Sequence, residues 1–528
     1  MKRCGILLVF MCFLTATLEA EQYRIASVSH SIRGMSHASI IDREITIDHT
    51  YLFGSEDELM AYITDYHQRL LNTRFFAAVS VDFTVDLPDE NGISAVHLMT
   101  QLQDSSHLIV VPYIKYNSNS GFELQARLRD SNFLGTLSTM SFSPVVQAEH
   151  TSSDESYKFN LGLRFSYDFP FRAGPLNASW VNDMSFYYTI GETMPEWSAK
   201  TGLSFTLPIS NRVSFNFGAH QYSYSEHDYR KYGDALYFAE EAFLSLPIKF
   251  YTIRNWGDVT YTPSINARYN WDLNGINKKN EDLIGPTLTF SHAITTGRTN
   301  WDQATNLRTG ISFSVNQSVG YNFGKETYTY GVSTDVKLFK GFTHVGFASA
   351  IYLFVNLNSR TDIGTRLRGI RDDQNYSNNY PRVAGTDATE AYTALVFNFD
   401  MPFHLFSTDF SKIRTRLTEK LFKPKFKTSD DPAILRWTKI FDIDVQLSPF
   451  IDIALTYNEA TGRLFDVRDG FYGCGAELLL YPRYWKSVIF RISFGLDIGR
   501  FLFEPFIDTS WRRDVAKYEL SIGVGLHY

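Results

Sequence analysis

Cysteine is scarce in this chain of 528 residues, which contains only 3. Cys4 and Cys12 lie in an N-terminal segment that we expect to be removed, so Cys474 remains alone and no internal disulfide can form. Long apolar runs are scarce too. After the N-terminal segment, no stretch reaches the roughly 18 apolar residues of a membrane-spanning helix, which argues against such a helix.

An excess of positive charge is absent as well. The formal net charge is -7, so the chain has no global basic footprint and we expect no nucleic-acid partner. Glycine-rich phosphate loops, a Gly-x-Ser-x-Gly nucleophile elbow and metal ligands at diagnostic spacing are also missing from the sequence. We therefore expect a protein that is not an enzyme and that binds no cofactor or metal ion.

Aromatic residues, in contrast, are abundant. They make up 16% of the chain, with 31 Tyr and 43 Phe, while charged residues make up 20%. A polar average together with many aromatic side chains suits a transmembrane β-barrel, because its strands present one face to lipid and the other to water.

Residues 1–20 predict a secretory signal peptide. Lys2 and Arg3 give a positive start, an apolar stretch runs from Ile6 to Leu18, and Ala20 fits a cleavage position. A membrane anchor is the alternative, but such a segment needs roughly 20 apolar residues. We therefore expect the chain to be exported.

Residues 21–107 show mixed periodicity and predict a compact α+β domain with the order β-α-α-β-β. In the second helix, Ser55 can cap the N-terminus, and apolar residues recur at helical spacing. A turn-rich stretch at residues 88–92 separates the last two strands. The expected elements are Tyr23–Ser31, Ser36–Thr46, Ser55–Leu71, Ala77–Val85 and Ile93–Gln103.

From Leu108 onward the pattern changes to period two and keeps it to the end of the chain. In Phe159–Tyr167, for example, apolar residues alternate with polar residues and glycine. The last strand, Tyr518–Tyr528, alternates in the same way and ends on an aromatic residue, as the terminal strand of bacterial outer-membrane barrels does. Many such strands have about ten residues, with one apolar face and one face of charges and glycines.

We therefore expect residues 108–528 to fold as a mainly β structure, a transmembrane antiparallel β-barrel. The sheet must close, because an edge strand in lipid would leave backbone groups unpaired. At ~25 residues per strand with its connection, the length gives about 16 strands. An exported soluble β-protein is the alternative, but a water-filled or plugged lumen explains the charged face better.

Several segments carry a resemblance to a known family. Residues 71–81, with the sequence Leu-Asn-Thr-Arg-Phe-Phe-Ala-Ala-Val-Ser-Val, are similar to the second helix and following strand of a polypeptide-transport-associated (POTRA) domain. Residues 130–135, Asp-Ser-Asn-Phe-Leu-Gly, resemble the D-x-N-F-L-G turn early in the barrel of the BamA/TamA family of outer-membrane assembly and translocation proteins. The resemblance implies one POTRA-like periplasmic domain in front of a bacterial surface antigen barrel.

The turn motif matches at all five specified positions, and the chain departs from the family at one later position. The candidate site residues in the turn are Asp130, Asn132, Phe133 and Gly135. The family often has a second glycine two residues later, where this chain has Leu137.

A sharper motif is Arg-Leu-Arg-Gly-Ile-Arg at residues 366–371, within a long polar connection from about Asn358 to Glu390. It resembles the V-R-G-F/Y motif that the family places at the tip of an extracellular loop folded back into the lumen. Gly369 allows a tight turn there, followed by Ile370. Arg368 would carry a charge into the barrel, where a guanidinium requires a carboxylate or several other acceptors.

The acceptor is expected on a later strand. Residues 450–454, Phe-Ile-Asp-Ile-Ala, resemble the family's F-x-D-x-G motif, and period two places Asp452 on the lumen face. The family usually offers an inward Glu before a proline, but this chain has Asn398 ahead of its proline, with Asp400 facing the same way. We expect a pair of Arg368 and Asp452, with Asp400 as a third member. The alternative is a solvated basic loop.

The seam of the barrel is expected between its first strand, Leu108–Asn117, and its last, Tyr518–Tyr528. In the family, this seam is thought to open. Pro112 lies in the first strand and has no amide to donate, so we expect a weakly paired seam.

A basic segment has no counterpart that the resemblance explains. Residues 403–440 contain nine Lys or Arg residues and few acids. Two interpretations stay open: a short amphipathic helix that touches lipid headgroups or a periplasmic partner, and a solvated basic insertion.

The resemblance implies a barrel that assists the insertion or translocation of proteins at the bacterial outer membrane. Its partners would be the outer-membrane lipid bilayer, unfolded outer-membrane or exported protein clients, and periplasmic accessory proteins; we expect a monomeric barrel. Two alternatives stay open. One is a two-partner-type secretion pore for one exported client, and the other is a passive channel or surface antigen with no insertase activity.

Overall fold

A computed structural model of the chain contains two compact units, Met1–Asp104 and Ser105–Tyr528. The signal peptide predicted for residues 1–20 lies outside the described residues. Within the described part of the chain, no helix is long and apolar enough to cross a membrane. The structure describes residues 22–117, 121–150, 157–225, 236–253, 256–272, 285–370, 390–413, 416, 439, 441–459, 462–486, 488–499 and 518–527.

The N-terminal unit is a three-stranded sheet with two helices. The last strand of the unit lies in the middle of the sheet, parallel to the first strand and antiparallel to the second. The elements follow one another in the order β-α-α-β-β. Their bounds are β1 Gln22–Arg33, α1 Ala38–Glu44, α2 Glu56–Asn72, β2 Phe76–Val85 and β3 Ile93–Asp104.

Helix α2 is defined by its N-terminal residues and its apolar face. The Ser55 side chain accepts a hydrogen bond from the main-chain amide of Glu58, and the Glu58 carboxylate accepts one from the amide of Gly54 at 2.9 Å. This is a variant of the capping box, and it satisfies amides that the first turn leaves unpaired. The side chains buried on one face at helical spacing are Leu59, Ile63, Tyr66 and Leu70.

The second unit is a closed β-barrel. The early strands are β4 Leu108–Asn117, β5 Gly121–Asp130, β6 Met140–His150, β7 Tyr157–Ala173, β8 Leu176–Thr189, β9 Glu196–Ser210, β10 Val213–Ser225, β11 Leu236–Ser245, β12 Ile248–Ile253, β13 Gly257–Asp272, β14 Pro286–Trp301 and β15 Arg308–Asn322. The later strands are β16 Thr327–Gly341, β17 Gly346–Leu357, β18 Thr361–Asp362, β19 Glu390–Ala391, β20 Thr393–Asp400, β21 Phe403–Ser407, β22 Ile443–Asn458, β23 Arg463–Leu464, β24 Phe471–Pro482, β25 Phe490–Asp497 and β26 Tyr518–Val524.

The predicted barrel fold is confirmed, and it has more strands than the expected 16 or so. In the part of the chain that the structure describes, the closed order contains 21 segments. Segments β11 and β12 both pair with β10 and β13, β20 and β21 both pair with β22, and β23 is a two-residue extension beside β22. Merging these segments leaves 18 strands. The number is higher because some hairpin turns are very short, and residues 174–175 and 211–212 each form a turn of only two residues.

The two faces of the barrel wall differ in polarity. In β22, the inward side chains of Gln446, Ser448 and Asp452 are buried, whereas Leu447 and Ile451 between them are exposed on the outside. Large apolar side chains exposed on other strands include Leu161, Leu163, Trp180, Phe186, Leu203, Phe290 and Ile294. An apolar outer belt around a polar lumen is the arrangement of a barrel surrounded by lipid.

The end of the chain departs from the predicted alternation. Strand β26 ends at Val524, because Gly525 has φ 100° and turns the chain out of the strand. Leu526 then packs against a buried cluster that contains Leu479 and Tyr481. The period-two pattern predicted up to Tyr528 is therefore wrong after Val524, and Tyr528 itself lies outside the described residues.

Candidate functional site in the barrel lumen

Residues 358–370 fold back from the rim into the lumen. The connection that contains them follows β17, at the end of the barrel opposite the start of β4. The short strands β18 and β19 pair with each other at its base. After a 3-10 turn at Gly364–Arg366, the chain reaches buried positions on the inner wall. Residues 371–389 of the same connection lie outside the described residues.

Apolar side chains anchor this segment to the barrel wall. Ile363, Leu367 and Ile370 are buried, and they form one cluster with Phe354 and Phe471. Complete burial of each such side chain contributes about 1.5–3 kcal/mol. Packing therefore holds the loop in addition to its charged contacts.

Arg368 makes the central polar contacts of the loop. Its Nε and Nη2 donate to the two carboxylate oxygens of Asp452, each at 2.8 Å. Its Nη1 and Nη2 donate to the carboxylate of Asp400 at 2.7 and 3.2 Å. The main-chain amide of Arg368 also donates to Asp452, and the exposed fraction of the Asp452 residue is 0%. The structure thus brings together the three residues that the sequence places in the lumen.

Asn398 stands where the family usually has an inward Glu, and it has its own role in the site. Its side-chain amide donates to Asp452 Oδ1 at 2.8 Å and to the carbonyl oxygen of Arg366 at 2.7 Å. An ionised Glu accepts hydrogen bonds and donates none. It could not replace these two contacts, so Asn398 fits a site in which Asp400 already supplies the second carboxylate.

Two further side chains complete the surroundings of the guanidinium. Glu477 Oε1 lies 3.4 Å from Arg368 Nη1 and 3.7 Å from Arg491 Nη1. The Phe450 ring lies under the guanidinium, with the ring centroid 3.8 Å from the guanidinium carbon, which is a cation–π geometry. Sequence reasoning missed Glu477, because its strand carries no motif that links it to Arg368.

Glycines on two strands let the loop lie directly on the barrel backbone. A Cβ on Gly473 would collide with the carbonyl oxygen of Arg368, and a Cβ on Gly495 would lie 2.6 Å from Gly369 Cα. Gly369 has φ 78°, and a Cβ there would lie 2.7 Å from the amide nitrogen of Leu496. The loop therefore requires glycine on both sides of this contact. Inward glycines are visible in the sequence of both strands, but the sequence does not give the register that brings them under the loop.

The loop also reaches the last strand. The amide of Gly369 donates to Glu519 Oε2 at 3.0 Å, and His527 Nε2 lies 3.2 Å from the carbonyl oxygen of Arg366. Glu519 lies in β26 and His527 follows it. Neither contact could be predicted from the sequence.

Electrostatics make this cluster a lock for the loop. The buried carboxylates of Asp400, Asp452 and Glu477 surround the Arg368 guanidinium. A buried charge without a partner is costly, so each group holds the others in place. We call these four residues, with Asn398, the lumen lock. Among the described residues, no group of three His, Cys, Asp or Glu side chains is arranged to hold a metal ion.

The predicted early turn lies between β5 and β6, apart from the strands that carry the lumen lock. Asp130 contacts His107 at 2.6 Å and accepts a hydrogen bond from the amide of Asn132. The Asn132 side chain accepts a hydrogen bond from the amide of Leu137. The turn is therefore closed by its own polar residues.

The backbone of this turn explains the glycines of the motif. The φ angle is 71° at Gly135 and 53° at Leu137. Leu137 thus adopts the left-handed conformation that favours the glycine found there in the family. The Phe133 ring packs edge-on against Tyr167, with a centroid distance of 5.0 Å.

The predicted seam strands are neighbours in the closed order, where β26 lies beside β4. Pro112 lies in β4 opposite Ala126 of β5. Tyr518 begins β26 opposite Leu496, and its side chain is exposed.

The structure describes little of the basic segment at residues 403–440. It contains β21 and a helical turn at residues 411–413, near which Phe410 and Ile413 are exposed. Most of its Lys and Arg residues lie outside the described residues.

No family model matches the chain, and a search of curated proteins finds no significant match. Among solved structures, the chain is similar to BamA from Haemophilus ducreyi lacking POTRA domains 1-3, with 11% identity, 95% of this chain and 84% of that chain covered, and a TM-score of 0.39. It is similar to CdiB from Acinetobacter baumannii, with 10% identity, 96% and 74% covered, and a TM-score of 0.46. It is also similar to CdiB from Escherichia coli, with 10% identity, 97% of this chain and 91% of that chain covered, and a TM-score of 0.36. The strand pairing of this chain itself defines the barrel.

Proposed function

We propose that the protein is a barrel of the bacterial outer membrane that assists the insertion or translocation of proteins there. The observation that carries the proposal is the lumen lock, in which Arg368 holds a long loop inside a closed barrel through Asp400 and Asp452. This is the arrangement that the resemblance to the BamA/TamA family implies. The protein acts by binding and conformational change, and not as an enzyme.

The contacts of the loop suit a part that is held firmly and can still be released. They are ion pairs, hydrogen bonds and apolar packing, and none of those described is covalent. If the loop leaves, Arg368 and the carboxylates of Asp400 and Asp452 lose one another as partners. The locked and released arrangements therefore differ by a discrete free-energy step. Such a two-state element is what a gated barrel needs.

The N-terminal unit supplies a surface for an unfolded client in this proposal. In the described part of that unit, the sheet order β1-β3-β2 leaves β1 and β2 at the edges. An extended peptide can add to an exposed strand edge by β-augmentation, with main-chain hydrogen bonds that do not depend on sequence. We propose that this unit is a POTRA-like domain in the periplasm and that the barrel is monomeric, with accessory proteins bound on the periplasmic side.

Depletion of the protein in its native host, followed by outer-membrane proteomics, tests the proposal. Loss of many barrel proteins would support insertion. Loss of one exported protein would support a two-partner-type secretion pore. An unchanged outer-membrane and secreted proteome would contradict the proposal and would leave a passive channel or surface antigen.

A further inference from the structure

The loop lies against the lumen face of four strands, β22, β24, β25 and β26. In register, Asp452 of β22 lies opposite Gly473 of β24, Gly475 of β24 lies opposite Gly495 of β25, and Gly495 lies opposite Glu519 of β26. Residues opposite one another in an antiparallel pair face the same side. Gly473 and Gly495, on which the backbone of the loop lies, are therefore on the lumen face between Asp452 and Glu519. Asp497 of β25 lies opposite Gly473, in the same row as Asp452.

Both carboxylates hold the same short piece of the loop. Asp452 accepts from the amide and the guanidinium of Arg368, and Glu519 accepts from the amide of the next residue, Gly369. His527, which follows β26, lies against the carbonyl oxygen of Arg366. The polar contacts of the loop thus extend from Asp452 in β22 to Glu519 in the last strand, β26.

The last strand lies between the loop contacts and the seam. On one side, β26 pairs with β25, from Tyr518 opposite Leu496 to Val524 opposite Phe490. On its other side, β26 closes the barrel against β4. A contact that fixes Glu519 therefore acts on the strand that closes the barrel.

We propose that Glu519 is a positioning residue that couples the lumen lock to the strand closing the barrel. When the loop is seated, the Gly369 amide fixes Glu519 and stabilises β26. When the loop leaves, β26 loses this inner support. The proposal deepens the proposed function and rests on it for the use of the seam, whereas the coupling itself is a property of the barrel that can be measured without a client.

Amide hydrogen exchange of the full chain in lipid nanodiscs tests the coupling. In Glu519→Ala, we expect exchange to become roughly tenfold faster both in β26 and in residues 363–370, since loss of about 1.4 kcal/mol corresponds to a factor of ten. Glu519→Gln keeps an oxygen that accepts from Gly369, so its exchange should stay near that of the wild type.

Two further variants sharpen the test. Glu519→Asp keeps the charge but is one methylene too short to reach Gly369, so it should behave like Glu519→Ala and decides the outcome if the alanine variant fails to fold. Glu241→Ala is the matched control, because Glu241 also lies in the lumen but contacts His220, Tyr222 and Arg268 on distant strands.

The outcomes separate the coupling from the proposed function. Faster exchange in β26 and in the loop for the Ala and Asp variants, absent from Glu241→Ala, would support the coupling. Wild-type exchange in both, a change confined to one of them, or an equal change in Glu241→Ala would overturn it. A normal proteome after depletion would contradict the proposed function and leave this exchange result unaffected.

Discussion

At the scale of single residues, Arg368 is the most constrained side chain of the lumen. Its exposed fraction is 6%, and it contacts Asp400, Asp452 and Glu477. Such a cluster is weak evidence for net stability, because desolvation offsets much of the attraction. Removal of one member is strongly destabilising, because the remaining charges stay buried without their partner.

We therefore expect Asp452→Ala and Arg368→Ala each to destabilise the folded barrel by about 3–5 kcal/mol. In Asp452→Ala, the guanidinium and the main-chain amide of Arg368 lose an acceptor, and Asn398 loses one as well. The heat-modifiable mobility of the barrel on gels, measured against urea concentration, gives the stability.

Arg360→Ala is the matched control for this pair of variants. Arg360 lies in the same loop and pairs with Glu459 at 3.2 Å, but the side chains of both are 25% exposed. A pair of this kind contributes about 0–1 kcal/mol. Equal stabilities of Asp452→Ala and Arg360→Ala would show that the lumen lock is wrong.

At the scale of elements, the loop is positioned by strands that lie far apart in the sequence. Asp452 and Asp400 were predicted because each lies near a recognisable strand motif and period two gives its face. Glu477, Gly473, Gly495 and Glu519 could not be predicted in the same way. Period two tells which face a residue occupies, but the register between strands decides which residues of neighbouring strands share a row.

The glycine seat predicts the effect of one added methyl group. In Gly473→Ala, the Cβ would collide with the Arg368 carbonyl oxygen, so the loop must move although no charge is removed. We expect the loop to become cleavable by trypsin at Arg366 and Arg368 in intact, embedded protein, at least about tenfold faster than in the wild type.

Gly320→Ala is the control for this substitution. Gly320 faces the lumen in β15, and the Cβ would meet mainly the side-chain oxygens of Thr329 and Thr289, which do not belong to the loop. Its loop should resist trypsin as the wild type does. Wild-type resistance in Gly473→Ala would contradict the seat.

At the scale of the whole molecule, alternation along 18 strands separates an apolar outer belt from a polar lumen. The barrel fold followed from this pattern alone, because period two with apolar residues on one face persists through the second unit. The number of strands could not be predicted in the same way. It was estimated from an average length per strand and connection, and such an average does not detect turns as short as two residues. The turn of the chain at Gly525 could not be predicted either, because a glycine in an alternating pattern equally fits a strand.

The apolar outer belt predicts different effects on stability for substitutions at two adjacent positions of β14. Ile294 is exposed on the outside, and Thr295 next to it faces the lumen. Ile294→Arg should destabilise the embedded barrel by about 2–4 kcal/mol, because it places a charge in the lipid belt. Thr295→Arg should have little effect. Urea unfolding in lipid vesicles measures both, and equal effects would contradict the assigned faces.

The central claim links the lumen lock to protein insertion or translocation, and a complementation measurement tests it most directly. Depleted cells would receive the wild-type chain, Arg368→Ala or the control Arg360→Ala, and the outer-membrane and secreted proteomes would be quantified alongside the amount of folded barrel. We predict that the wild type and Arg360→Ala restore the lost proteins, and that Arg368→Ala restores far fewer at a matched amount of inserted barrel. Full restoration by Arg368→Ala at that matched amount would contradict the claim.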